Sequence, residues 1–156
     1  MMNRERLFLN DAHSKVLTGR LLGVDYGLRR VGLAVCDHEG RIAVGAGRLT
    51  GTGPREVISR IIAEAKLREV DGIVIGEPTT TRGNEELLEG VEQLKKALLN
   101  RGFKVTGWPE AYTSAAALTA RKHFGGKKNS DKSWTDEAAA IILLQDYLAW
   151  VRDYNG

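Results

Sequence analysis

The apolar positions change period several times along the chain, and each change marks an element. Residues 21 to 26, opening on Leu21-Leu22-Gly23-Val24, are too continuously apolar for a surface strand and predict a central one. Residues 30 to 37 and 41 to 49 predict two more strands, the last two joined by a tight turn at His38-Glu39-Gly40, so the three form an antiparallel meander. Pro54 ahead of Val57, Ile58, Ile61, Ile62 and Ala65 predicts an amphipathic helix that stops before Asp71-Gly72. Ile73-Val74-Ile75 then predicts a buried strand. Leu87, Leu88, Val91, Leu94 and Leu98 line one face of a second helix, with Glu85, Glu86 and Glu89 early and Lys95, Lys96 and Arg101 late, the charge order that a helix dipole favours. Residues 103 to 108 predict a fifth strand. A short helix from about Ser114 and a longer one from Trp134 to near Val151 complete the pattern.

The order β-β-β-α-β-α-β-α-α specifies an α/β fold. Its sheet is five-stranded and mixed, a three-strand antiparallel meander followed by two parallel crossovers, with helices on both faces. Residues 1 to 18 fit no packed element and are expected to be a loose N-terminal tail, leaving 19 to 156 as a single domain. A chain of 156 residues with 42% hydrophobic content suits one core. No stretch approaches the roughly 18 unbroken apolar residues of a membrane span, and residues 1 to 20 lack the sections of a secretion signal, so a cytoplasmic location is expected. The single Cys36 lies within an apolar run and is expected to be a buried structural thiol. No zinc-ligand spacing occurs.

Asp25 changes the picture, because a carboxylate inside the central strand costs several kcal/mol unless a cation or strong hydrogen bonds receive it. Glu110 follows the fifth strand and Asp136 opens the last long helix. Three carboxylates from three distant segments at one edge of the sheet would repel one another unless a divalent cation sat among them, and oxygen-only ligands suit Mg²⁺ or Mn²⁺. Ala138-Ala139-Ala140 would let that helix approach the sheet closely and bring Asp136 towards Asp25. The net charge is only +3, but residues 121 to 132 carry five basic residues against one acid. Arg121, Lys122, Lys127, Lys128 and Lys132 are thereby candidates for following a phosphate backbone, as are Arg29 and Arg30 in the first turn.

Each residue also has a plainer reading. Asp25 could close a turn before Gly27. Glu110 could be an exposed loop residue, and Ser133-Trp134-Thr135-Asp136 has the form of a capping box. Arg29 and Arg30 could merely solvate a hairpin, and residues 121 to 132 could be an ordinary surface loop. Trp108 could stack on a base or simply fill the core. Glu137 and Asp131 are fallback candidates for the third carboxylate.

From about Gly23 to Tyr147 the chain resembles the YqgF or RuvX family of RNase H-like nucleases, described as Holliday junction resolvases and as pre-16S ribosomal RNA processing nucleases. Gly23-Val24-Asp25-Tyr26-Gly27-Leu28-Arg29-Arg30-Val31-Gly32 is similar to the family's opening strand and turn, where the aspartate binds metal. Gly76-Glu77-Pro78-Thr79 through Gly83 resembles its Gly-Leu-Pro loop, Glu110 with Thr113 and Ser114 its Glu-Arg-x-Thr segment, and Asp136 to Ala140, with Gln145, its terminal Asp-x-x-Ala-Ala helix. Four such matches in order are fairly specific.

The resemblance implies an RNase H-like fold and hydrolysis of phosphodiester bonds in structured RNA or branched DNA by metal-activated water, with Asp25, Glu110 and Asp136 as catalytic metal ligands in a monomer or homodimer. No credible nucleophile and base pair stands against this, the histidines being only His13, His38 and His123. The chain departs from the family at Ala111, where arginine is usual, at Glu77, where leucine is usual, and at Thr80, where asparagine is usual. Ala111 removes a phosphate contact, and Glu77 is expected to repel a nucleic acid backbone or alter the metal shell. Two rivals follow: a non-catalytic RNA-binding or ribosome-assembly module, and a nucleotide-binding domain like those of actin and Hsp70, whose phosphate loop the Asp-x-Gly turn also resembles.

Overall fold

Strand β1 (Leu21–Tyr26) is central because both of its faces are apolar. It pairs antiparallel with β2 (Arg30–Cys36) on one side and parallel with β4 (Gly72–Glu77) on the other. Strand β3 (Ala43–Thr50) adds antiparallel to β2, and β5 (Val105–Pro109) adds parallel to β4, giving the order β3-β2-β1-β4-β5. The helices are α1 (Pro54–Leu67), with Pro54 in its first turn, α2 (Glu85–Asn100) and α3 (Lys132–Asn155). A computed structural model of the chain describes residues 16–51, 53–79, 82–109 and 132–155, apart from the side chains of 132–135 and 155. The expected helix from Ser114 lies outside them. The sheet order and strand directions are those expected from the sequence.

Alternation along the strands divides the core in two. Leu22, Val24, Val31, Leu33, Ile73, Ile75 and Val105 point to one face, where they meet Val57, Ile61 and Ile62 of α1 and Val91, Leu94 and Leu98 of α2. Leu21, Ala34, Cys36, Val74 and Trp108 point to the other, where Ala140, Leu143, Leu144 and Tyr147 of α3 cover them. Trp108 is fully buried, its ring 5.7 Å from that of Tyr147 and edge-on to it, so it packs the core and offers no face to a base. Cys36 is buried as expected. Leu21 N donates to its Sγ at 3.2 Å, and burial pushes the thiol up from its usual range.

Helix α3 lies close because three neighbouring strands present glycine to it. A Cβ on Gly23 of β1 would fall 2.9 Å from Leu144 Cβ, one on Gly32 of β2 would fall 2.0 Å from the carbonyl oxygen of Asp136, and one on Gly45 of β3 would fall 2.4 Å from Glu137 Oε2. The alanines expected to permit the approach contribute from the helix side, Ala139 and Ala140 being buried. Polar ties fix the helix along β3. Gly47 N donates to Glu137 Oε2 at 2.9 Å, Ala43 N donates to Gln145 Oε1 at 3.0 Å, and Gln145 Nε2 donates to the Arg41 carbonyl at 3.1 Å. The β2 and β3 ladder slips by one residue here, with Ala34 opposite Gly45 and Leu33 opposite Gly47, so that Ala46 is an extra residue.

Packed structure begins before residue 19, which corrects the boundary expected for the tail. Leu17 is 6% exposed, and its N–H donates to the Tyr147 hydroxyl at 2.8 Å. Its partner is 130 residues away, so no local period could reveal it. Burial pushes the Tyr147 hydroxyl up to about 12. Tyr147→Phe orphans the Leu17 amide and is expected to cost about 1 to 3 kcal/mol. The stability gap between wild type and Tyr147→Phe, measured by urea melts, should be full below pH 10, where tyrosine is neutral in both folded and unfolded chains. It should shrink between pH 10 and 12, as only the unfolded chain ionises.

Candidate active site

Asp25 is the fifth residue of β1. By alternation it shares a face with Leu21 and Gly23, the face that α3 covers. Directly opposite it on β2 is Gly32, and opposite Gly32 on β3 is Arg48. Side chains of directly opposed residues project to the same face, and the place a Gly32 side chain would take is filled by the backbone of Asp136. The Asp136 backbone therefore sits one strand over from Asp25, about 5 Å in the hydrogen-bonding direction. The structure thus brings these two predicted residues together, and the absence of a side chain at Gly32 makes the meeting possible.

The carboxylate of Asp136 is 17% exposed and faces two guanidiniums, with Oδ2 lying 3.3 Å from Arg30 Nε and 3.9 Å from Arg48 Nη1. Helix α3 is already running at Lys132, so Asp136 lies beyond its first turn. The capping-box alternative, which needs Ser133 as the cap, does not hold. Glu137, the fallback third carboxylate, is engaged on β3 through Gly47. Sequence reasoning passed over Arg48, a lone basic residue in a glycine-rich strand. The meander placed its strand beside that of Gly32, but the extra residue Ala46, which no alternation in the sequence marks, set Arg48 opposite it.

Strands β1, β4 and β5 run parallel, so their carboxyl ends share one edge of the sheet. From that edge the chain leaves β1 towards β2 on one side and β4 towards β5 on the other, the kind of divergence at which open α/β sheets form a crevice. Pro109 ends β5 opposite Glu77, and the next residue in the chain is Glu110. Glu110 lies outside the described residues, as do Ala111, Arg121, Lys122, Lys127, Lys128 and Asp131. Lys132 begins α3, but its side chain is not among those described. Arg29 is exposed in the turn between β1 and β2.

Among the described residues no three of His, Cys, Asp and Glu converge. Asp25 and Asp136 are hard carboxylate donors on neighbouring parts of one face, a chemistry that fits Mg²⁺ or Mn²⁺ and not a thiolate or imidazole metal.

Glu77 is not part of this site, which corrects the expectation that it would disturb a metal shell or repel substrate. It alternates with Ile73 and Ile75 and so points to the α1 and α2 face, where it pairs with Lys95 of α2 above Gly107. Lys95 also lies 3.6 Å from Glu92. Glu77→Leu is expected to lower stability by about 1 kcal/mol through the loss of a partly buried pair. It should leave nucleic acid cleavage within about twofold of wild type, since one face of the sheet carries the carboxylates and the other carries this pair. Parallel melts and cleavage assays check both halves.

A five-stranded sheet in this order, a three-strand antiparallel meander followed by two parallel strands, with Asp25 near the carboxyl end of its first strand, is that of an RNase H-like fold. The structure matches that of Thermus thermophilus RuvC in complex with Holliday junction substrate with a TM-score of 0.65 at 16% identity, over 88% of this chain and 98% of that one. It matches the yeast mitochondrial Holliday junction resolvase with a TM-score of 0.59 at 10% identity, over 99% of this chain and 88% of that one. Residues 19–150 match the RuvX family, described as Holliday junction resolvase, and the chain belongs to that family. A "Putative pre-16S rRNA nuclease" of Thermus thermophilus is 34% identical over 131 residues, covering 83% of this chain and 97% of its own. Another so described, from Agathobacter rectalis, is 34% identical over 140 residues, covering 85% and 96%.

Proposed function

We propose that this protein is a divalent-metal-dependent endonuclease that hydrolyses phosphodiester bonds in structured nucleic acid, with precursor 16S ribosomal RNA as its substrate. The observation that carries this reading is the meeting of Asp25 and Asp136 across Gly32 in a chain of the RuvX family. The choice of RNA rests on relatives that are 34% identical along most of their length and bear that description.

In this reading Asp25, held by its pairing with Gly32 on β2, is the fixed ligand, Asp136 is the second, and Glu110 completes the set. When bound, Mg²⁺ or Mn²⁺ supplies Lewis-acid activation of the phosphate and of the attacking water. The chain's own work is to place the two carboxylates on one rigid face, so that no loop has to order before they meet. Arg29, with Arg121, Lys122, Lys127, Lys128 and Lys132, grips backbone phosphates. That is a sequence-tolerant, salt-sensitive hold, in which shape selects the substrate. No helix among the described residues is long and apolar enough to cross a membrane, and we place the protein in the cytoplasm with its RNA.

The test is side-by-side incubation of labelled precursor 16S RNA and a four-way DNA junction with wild-type protein and Mg²⁺ or Mn²⁺. Metal-dependent cutting of the RNA is expected. Cutting of the junction alone would reassign the substrate, and binding without cutting of either would make the protein an assembly module.

A further inference from the structure

Two arginines hold Asp136 in the absence of nucleic acid. Arg30 Nε and Arg48 Nη1 lie 3.3 and 3.9 Å from the same oxygen, Oδ2. They come from different strands, Arg30 from the first residue of β2 and Arg48 from the residue opposite Gly32 on β3. Both guanidiniums thus compete with a metal for that oxygen. A divalent cation approaching Asp25 and Asp136 is opposed by those two positive charges and has to displace them from Asp136 Oδ2. A backbone phosphate is attracted to the same two guanidiniums, because their planar fork suits phosphate oxygens as well as carboxylate oxygens. The two arginine side chains are 39% and 27% exposed against 17% for Asp136, so a phosphate can reach them from solvent while the carboxylate stays on the sheet.

We propose that Arg30 and Arg48 form an exchange clamp, giving up Asp136 for a backbone phosphate as nucleic acid binds and so freeing the carboxylate for the metal. This rests on the nuclease reading of the site. Both arginines are positioning residues that act through Asp136. The consequence is positive coupling: nucleic acid tightens divalent-cation binding, and by linkage the cation tightens nucleic acid binding by the same factor. Metal then enters its complete site mainly when substrate is present.

Mn²⁺ binding to the full chain, followed by the electron paramagnetic resonance of the free ion, tests this without any cleavage. Arg30→Gln and Arg48→Gln should each tighten Mn²⁺ binding to the nucleic-acid-free protein by about two- to fivefold, the scale of a partly exposed ion pair. The same variants should bind a labelled RNA duplex more weakly in the absence of divalent cation, and that retained but weakened binding also shows that they fold. Arg48→Lys, which keeps the charge, should stay near wild type for Mn²⁺. Unchanged or weaker Mn²⁺ binding by the glutamine variants, as arginines that merely brace Asp136 would give, overturns the clamp alone. Mn²⁺ binding indifferent to Asp25→Asn overturns the clamp and the metal site together.

Discussion

Asp25→Asn is expected to reduce cleavage of precursor 16S RNA by on the order of 10³-fold or more, because an amide is a poor ligand for a hard cation and the transition-state stabilisation that depends on it is worth several kcal/mol. Binding of the same RNA should be unchanged or slightly tighter, since one negative charge leaves the neighbourhood of a polyanion. The fold should be preserved. The substitution is nearly isosteric, and the pairing of Asp25 with Gly32 runs through the backbone. Single-turnover cleavage and equilibrium binding measured on the same preparation separate the two effects. A variant that cuts at the wild-type rate would remove Asp25 from the chemistry and return it to the role of a turn-closing residue.

Gly32→Ala carries the second large effect, although it introduces no charge and alters no expected ligand side chain. The new methyl would lie 2.0 Å from the Asp136 carbonyl oxygen, 2.6 Å from its carbonyl carbon and 3.3 Å from its Cα. All three are backbone atoms, so no rotamer change relieves the clash and α3 must move by about an ångström. Overpacking of this kind costs about 1 to 3 kcal/mol, which in a chain of this size lowers Tm by roughly 3 to 10 °C. A displacement near 1 Å at a catalytic group costs about 10²-fold in rate, so activity should fall further than stability alone explains. Gly53→Ala, with nothing within 4 Å of the added carbon, is the control and should change neither. A Gly32→Ala protein with wild-type melting and wild-type cleavage would mean that α3 does not seat on β2.

Most of the fold was legible because its signals are local. Apolar alternation and helical period marked every described strand and helix, and Pro54 marked the start of α1. Within the site, Asp25 was legible because a carboxylate in an apolar strand demands a partner. Asp136 was legible only in outline. Its sequence neighbourhood supports a cap as readily as a ligand, and the choice depends on where the helix begins. What escaped was decided by contacts between distant segments. Leu17 is ordered by a hydroxyl at Tyr147, and Glu77 is neutralised by Lys95 on the far face. In the second case alternation along β4 held the answer, but a position defined only by family resemblance drew attention to the motif and away from the face.

The extra residue in β3 sets the phase of the strand. Ala43 and Gly45 look towards α3, and an unbroken alternation would send Gly47 and Leu49 after them. Because Ala46 is unmatched, Ala46 and Leu49 both enter the core beneath α1 and α2, and Arg48 comes round to face Asp136. Pairing the same residues without the bulge would set Gly47 opposite Gly32, turn Arg48 to the α1 and α2 face and send Leu49 towards α3, with the composition of the strand unchanged. The charge at the site is thus specified by the irregularity of the strand as much as by the identity of its residues, and two family members with the same arginine but only one of them bulged need not present it to the same side.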